Sequence, residues 1–248
     1  MMMPAEPASV PSNQAGSLPD HLRLAVAAYL ARFKGSSRED KPHAATRPPK
    51  LVADVQGQGG HMDIPAMFGR AVAEFDARVR QIGGHQWRAA TPNEDWCVRD
   101  LVNHVTGEDL WAPPLLAGAT IAEVGDRFEG DVLGSDPTEA WTVASAEAVR
   151  AVEADGAMDR IVHLSFGDFP GGEYTLQLFA DHLIHAWDLA RAIGSDEHLD
   201  EELVTSCAAW FDATEEAYRS AGVIAARPPV PGDADAQTLL LARFGRRA

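Results

Sequence analysis

An all-α fold, an antiparallel helical bundle, is what this sequence predicts, and three observations predict it. From about residue 62 onward, apolar residues recur at three- and four-residue steps over long stretches. Short, turn-rich connections join those stretches, which favours antiparallel neighbours. Strand-like alternation is confined to one weak segment, Ile161 to Phe166. With 46% hydrophobic residues, the chain can bury a sizeable core.

The first sixty residues read differently. All three lysines and seven of the 16 prolines fall in the first fifty. Residues 1–18 and 35–61 are rich in Pro, Ser, Gly and Gln and read as disordered leader or linker. Between them one amphipathic helix is expected over 19–34, with Leu22, Val26, Tyr29, Leu30 and Phe33 on its apolar face. One helix cannot bury its own face, so the domain proper is expected to span 62–248.

Within that domain, Phe68, Val72, Phe75, Val79 and Ile82 mark a first helix. Thr91-Pro92-Asn93-Glu94-Asp95 is turn chemistry. Val98, Leu101, Val102 and Val105 open a second helix carrying His104, which Pro113-Pro114 should interrupt or kink. Asp126 to Gly134 reads as a loop. Asp136-Pro137-Thr138-Glu139 is a helix start, with an N-cap, a proline at the first position and a glutamate three residues after the cap. The third helix should run to about Ala154, and Gly171-Gly172 is placed to turn a short hairpin after Ile161–Phe166. A fourth helix is expected from about Tyr174 to a terminating Gly194, and a fifth from Glu201 to Ala221. Arg227 to Gly232 is an extended proline-rich linker, and Ala236 to Phe244 a short terminal helix.

Charge and cysteine content exclude several function classes. The formal net charge is −16 and unevenly spread. Residues 1–61 carry seven Lys/Arg against five Asp/Glu, and the remainder 14 against 32. An acidic domain repels phosphate backbones, so nucleic acid is not an expected partner. No apolar run reaches the ~18–20 residues of a membrane helix, and Met1 to Gln14 has neither a basic nor an apolar signal-peptide region. Two cysteines, Cys97 and Cys207, make no disulfide framework and no CxxC zinc pattern, so a reducing, cytoplasmic setting is expected.

The fourth helix holds the chemistry. In Phe179-Ala-Asp181-His182-Leu-Ile-His185-Ala-Trp187-Asp188-Leu189, the residues Leu178, Asp181, His185, Leu189 and Ala192 share one face. Asp181 and His185 are one turn apart, so a carboxylate oxygen and an imidazole nitrogen can reach one divalent ion. The same spacing equally makes a simple hydrogen-bonded pair. His104, at the edge of the second helix's apolar stripe, is either a third ligand or a satisfied boundary histidine. His182, His163 and Arg99 read more simply as packed or surface residues, and Trp96, Trp111 and Trp187 as core or bundle caps. Asp188 either accepts the second imidazole proton of His185 or anchors a neighbouring loop.

The stretch Thr91-Pro-Asn-Glu-Asp-Trp-Cys-Val-Arg-Asp-Leu-Val-Asn-His104 resembles the signature of the mycothiol-dependent maleylpyruvate isomerase-like metal-binding domain, a member of the DinB-like superfamily of metal-binding four-helix bundles. Glu123 to Arg127 with Gly130-Asp131, His185-Ala-Trp-Asp-Leu-Ala190, and the terminal Pro228-Pro-Val-Pro231 and Leu239-to-Gly245 stretches resemble an actinobacterial subgroup. The resemblance covers about residues 62–248 and implies a DinB-like antiparallel four-helix bundle with an additional carboxy-terminal helix. It also implies a divalent metal such as zinc, held by His104, Asp181 and His185. Asp181 stands where the isomerase carries a glutamate, shorter by one methylene, so metal identity or affinity should differ. Asn93 stands where relatives often carry cysteine. The full isomerase's extra carboxy-terminal domain has no room here, so its substrate is not carried over.

A three-ligand site leaves open positions on the metal, the catalytic rather than the structural pattern. The leading expectation is a metal-dependent transferase or isomerase with a low-molecular-weight thiol such as mycothiol as cosubstrate and a small electrophile as substrate. The alternatives are a hydrolase in which the metal activates water, and a non-catalytic metal-binding or regulatory module. A homodimer remains open.

Overall fold

The computed structural model describes residues 63–93, 95–164, 167–220 and 224–248. The leader expected over 1–61, with its helix at 19–34, lies outside the described residues. In chain order the elements are α1 (Ile64–Val79), α2 (Val98–Leu116), a one-turn α3 (Ile121–Val124), α4 (Pro137–Val152), β1 (Ile161–Leu164), β2 (Gly167–Pro170), α5 (Gly171–Ile193), α6 (Glu201–Phe211), α7 (Glu215–Ser220) and α8 (Ala236–Arg243). A single 3-10 turn, Gln86–Arg88, lies between α1 and α2.

Local chemistry sets most of the helix ends. Asp63 caps α1 by accepting from the Ala66 N–H at 3.2 Å. Asp136 caps α4 by accepting from the Glu139 N–H at 3.1 Å, with Pro137 in the first turn, as the sequence predicts. α5 ends at Gly194, whose φ of +69° is the left-handed cap that a side chain would resist. The apolar faces then close a ring. α1 packs along α5, α2 packs along α4, and α2–α5 and α1–α4 contacts complete a four-helix bundle in the order α1, α4, α2, α5. Phe68, Phe75, Trp141, Phe179 and Leu101 fill its centre without solvent exposure. α6 and α8 pack on each other outside the ring, with α6 also against α5. The architecture is therefore the all-α, DinB-like bundle expected. No helix among the described residues is long and apolar enough to cross a membrane.

Four details differ from the sequence expectations. Pro113 and Pro114 do not interrupt their helix: α2 runs through them to Leu116. They sit in its last turn, where each gives up its own bond to the carbonyl four residues back, and the helix ends two residues later. Gly171-Gly172 does not turn the hairpin. β1 and β2 pair antiparallel with Leu164 opposite Gly167, and α5 begins at Gly171 rather than near Tyr174. A Cβ on Gly171 would lie 2.0 Å from the Ala157 carbonyl oxygen, so the glycine serves a close backbone approach. The single helix expected over Glu201–Ala221 is broken after Phe211 and resumes at Glu215; Ala221 itself lies outside the described residues. The break lets Tyr218 fold back onto Phe211, with rings 5.7 Å apart, and lets Glu215 meet Arg243 of α8 at 2.7 Å.

Deep between α2 and α5 lies a polar pair. His182 Nε2 faces Asp109 Oδ1 at 3.1 Å, and both side chains are 0% exposed. The His182 Nδ1–H donates to the Leu178 carbonyl at 2.8 Å. Phe68 and Trp141 enclose the ring at 5.2 and 6.0 Å. Burial pushes the Asp109 carboxyl up, with His182 opposing the shift, and Asp109 in turn raises His182 against its own burial. Removing one partner strands the other in an apolar box. Asp109→Ala should lower unfolding stability by about 3–5 kcal/mol in urea titrations. A loss below about 1 kcal/mol would show that the pair does not tie α2 to α5.

Candidate metal centre

His104 projects from the second turn of α2, and Asp181 and His185 from the middle of α5. Helix periodicity puts the last two on one face, and α2–α5 packing brings the first against them. Nε2 of His104 lies 3.3 Å from Asp181 Oδ2, and Nε2 of His185 lies 3.4 Å from Asp181 Oδ1. One donor atom from each of the three residues falls within 4.8 Å of the others. The imidazole rings stand nearly perpendicular, at 79° with centroids 5.1 Å apart.

The loop before α2 roofs this group. The Thr91 N–H donates to the Trp96 carbonyl at 3.0 Å and the Val98 N–H to the Ala89 carbonyl at 2.9 Å, which closes a narrow clip. Asp95 takes a positive φ of 69° at its tip, a conformation aspartate tolerates better than most residues. The clip lays the half-buried Trp96 indole against both imidazoles, 5.0 Å from His104 and 6.0 Å from His185. Cys97 follows at the helix N-cap, where its N–H and its thiol both donate to Asp100 Oδ2 at 2.9 Å.

Behind His185 sits Asp188, one turn further along α5 and fully buried. Its Oδ2 is 2.9 Å from His185 Nδ1. Burial works to raise Asp188, but Arg246 and His185 outweigh it and hold the carboxyl well below its ordinary range. Asp188 is therefore an acceptor only, and His185 Nδ1 must donate to it. In the neutral imidazole that leaves a lone pair on Nε2, aimed at the Asp181 carboxylate. Two lone pairs cannot face each other across 3.4 Å without a positive charge nearby. In the metal-free protein a proton meets that need. Burial alone would lower His185, yet Asp181 and Asp188 together raise it to about 9. Asp181, which burial would raise, is held well below its ordinary range by His185 and His104. His104 Nε2 approaches Asp181 Oδ2 at 3.3 Å, long for a charge-assisted bond. Two imidazoles and one carboxylate that converge on one point, with weak bonds among themselves, suit a divalent cation.

The sequence singled out His104, Asp181 and His185, and the structure brings these three together. His182 points the other way, into the pair with Asp109. His163 is half-buried on β1 and pairs with Asp168 across the hairpin at 2.7 Å. Arg99 pairs with Asp131 at 2.8 Å and with the Gly134 carbonyl. Asp188 fills both roles the sequence left open: it takes the His185 proton and anchors a loop, through Asn93 Nδ2 at 3.1 Å. Sequence reasoning missed Arg246, which meets Asp188 from 58 residues away, a separation no periodicity can report.

Two uncharacterized proteins of Mycobacterium tuberculosis, from strains CDC 1551 / Oshkosh and ATCC 25618 / H37Rv, are each 33% identical to this chain over 138 residues. The alignment covers 54% of this chain and 69% of each relative. The family model described as the mycothiol maleylpyruvate isomerase N-terminal domain matches residues 68–190. The chain belongs to that family. The match to the mycothiol maleylpyruvate isomerase N-terminal domain runs from α1 into α5 and so takes in His104, Asp181, His185 and Asp188, but stops before α6, α8 and Arg246. No solved structure matches the chain.

If the three residues hold an ion, each should be indispensable. His104→Ala, Asp181→Ala and His185→Ala should each strip zinc from monodisperse protein, measured by elemental analysis after dialysis, because two protein ligands compete poorly with water. His182→Ala and His163→Ala should keep it. Zinc retained by Asp181→Ala but lost by His182→Ala would move the ligand set to the other face of α5.

Proposed function

We propose that His104, Asp181 and His185 hold a divalent metal, zinc being the ion best matched to two imidazoles and a carboxylate, and that the protein is an enzyme of thiol chemistry. In this reading it transfers a low-molecular-weight thiol of the mycothiol type to a small electrophile, or uses that thiol to isomerise one. The observation that carries the reading is the convergence of three donor atoms within 4.8 Å on a lone-pair-rich point. Membership of the mycothiol maleylpyruvate isomerase N-terminal domain family supports the thiol. A divalent ion bound there supplies a Lewis acid able to favour a thiolate near neutral pH.

The chain's own residues do the rest. Asp188 holds the His185 tautomer that leaves Nε2 free to donate its lone pair. Asp181 brings one negative charge, so an ion with two positive charges keeps a net charge to stabilise an anionic sulfur. Trp96 shields one side of the imidazole pair from water. Glu173 and Gln177 stand two turns and one turn before Asp181 on the same stripe of α5, both half-buried. Trp210 Nε1 donates to Glu173 at 3.3 Å. That stripe continues the polar face of α5 away from the ligands.

The test is turnover by tag-free, zinc-loaded protein with and without thiol. Thiol-dependent consumption of an electrophile supports the reading. Metal-dependent hydrolysis without thiol makes the protein a hydrolase instead, and zinc binding with neither turnover makes it a binding module.

Proton competition provides a second check. His185 is raised from 6.5 to about 9 in the metal-free fold, so its charge stabilises that fold below about pH 6.5, and the contribution is lost as pH rises through about 9. Zinc displaces the proton, so its affinity moves the opposite way. The gap in thermal midpoint between zinc-loaded and metal-free protein should widen steadily from pH 6.5 to pH 9. A gap that stays constant would speak for ligands other than histidine.

A further inference from the structure

Asp188 is buried, and its surroundings come from three distant parts of the chain. Oδ2 receives His185 Nδ1 at 2.9 Å, Asn93 Nδ2 at 3.1 Å and Arg246 Nη2 at 2.8 Å, while Oδ1 receives Arg246 Nε at 3.1 Å. Arg246 Nη2 also donates to Asn93 Oδ1 at 2.7 Å, and Nη1 to the Phe244 carbonyl at 2.9 Å. Every nitrogen of this guanidinium is engaged, and its side chain is only 16% exposed.

The backbone around Arg246 is built to aim it. After α8 the Gly245 N–H donates to the Ala242 carbonyl at 3.0 Å and the Arg246 N–H to the Leu241 carbonyl at 2.8 Å, the paired bonds of a Schellman turn. Gly245 makes that turn with a φ of +80°, and a Cβ there would meet the Ala225 Cβ at 2.8 Å. Phe244 stacks on Phe211 of α6 with ring centroids 4.0 Å apart, which holds α8 in place. On the far side Arg191 of α5 donates to the Arg247 carbonyl at 2.7 Å.

We propose that Arg246 is a positioning residue of the metal centre: gripping both oxygens of Asp188, it fixes the plane and tautomer of His185, so that the segment 236–248 is part of the site. A planar fork on both carboxylate oxygens removes the rotation that a single bond would leave to Asp188. With Asp188 fixed, the His185 ring cannot turn its Nε2 away from Asp181 and His104. Asn93 joins the same fork, so one guanidinium orients His185 and moors the clip that carries Trp96. The inference rests on the metal-centre reading and extends the site beyond residues 68–190, where the family match ends.

A double-mutant cycle on the full chain tests it, read as zinc affinity by competition with a chromogenic chelator. The four proteins are wild type, Arg246→Ala, Asp188→Asn and the double variant. Each single change should weaken zinc about 10–100-fold. In the double variant the arginine change should add less than about twofold, because its effect passes through Asp188. The visible spectrum of the cobalt-loaded Arg246→Ala protein should shift, which lost packing alone would not produce. If Arg246→Ala does not fold, Arg246→Lys keeps the charge without the fork and should still weaken zinc about threefold or more. Wild-type affinity in a folded arginine variant, or losses that multiply in the double variant, would overturn the proposal. Failure of the wild type itself to bind zinc would instead overturn the metal-centre reading.

Discussion

The carboxylate of Asp181, set between imidazoles from two helices, is the constraint that the rest of the bundle serves. An acidic group facing two nitrogen lone pairs inside a helical interface is costly unless a cation neutralises it. The surrounding fold keeps that arrangement from relaxing. One layer deeper, the Asp109–His182 pair crosses the same α2–α5 seam. One layer outward, Asp188 ties α5 to the clip and to the segment after α8. Three polar layers thus radiate from α5: two cross to α2, and the third joins α5 to the clip and to the segment after α8. Sliding α2 along α5 would break the two that cross to α2, so the register that brings His104 to Asp181 is specified twice.

Charge balance differs from layer to layer. The deepest pair matches one acid with one base and is sealed by aromatic rings, so it favours one register without inviting a ligand. The outer layer has its own cation in Arg246. The middle layer has two bases and an acid but no permanent cation. That asymmetry is what favours the middle layer in the proposed metal-centre reading, although all three contain a histidine or an aspartate of α5.

Much of this was legible in the residues, and what was not has a physical reason. Helix existence followed from three- and four-residue periodicity, and the α4 start from Asp136-Pro137. The i,i+4 relation of Asp181 and His185 follows from helix geometry alone. Their meeting with His104 depends on how α2 packs on α5, so only the resemblance carried it. Gly171-Gly172 misled because glycine permits both a turn and a close approach; the Ala157 carbonyl, remote from any local pattern, decided which. Pro113-Pro114 misled because the helix outlasts them by only two residues, so they mark its end rather than an interruption. The break after Phe211 comes from where Tyr218 and Glu215 find partners. Arg246 and Asn93, 153 residues apart, share a hydrogen bond that no window of sequence could contain.

The roof of the site has an optical consequence. Trp96 touches both imidazoles, and the clip that carries it is anchored by Asn93 on the same aspartate that orients His185. An indole so placed is a built-in fluorophore for the site: an open-shell ion such as Cu2+ entering between the histidines would drain its excited state by contact. Trp141 and Trp187 are buried in the core. With an ion held there as proposed, Trp96 would report site occupancy with no label to attach.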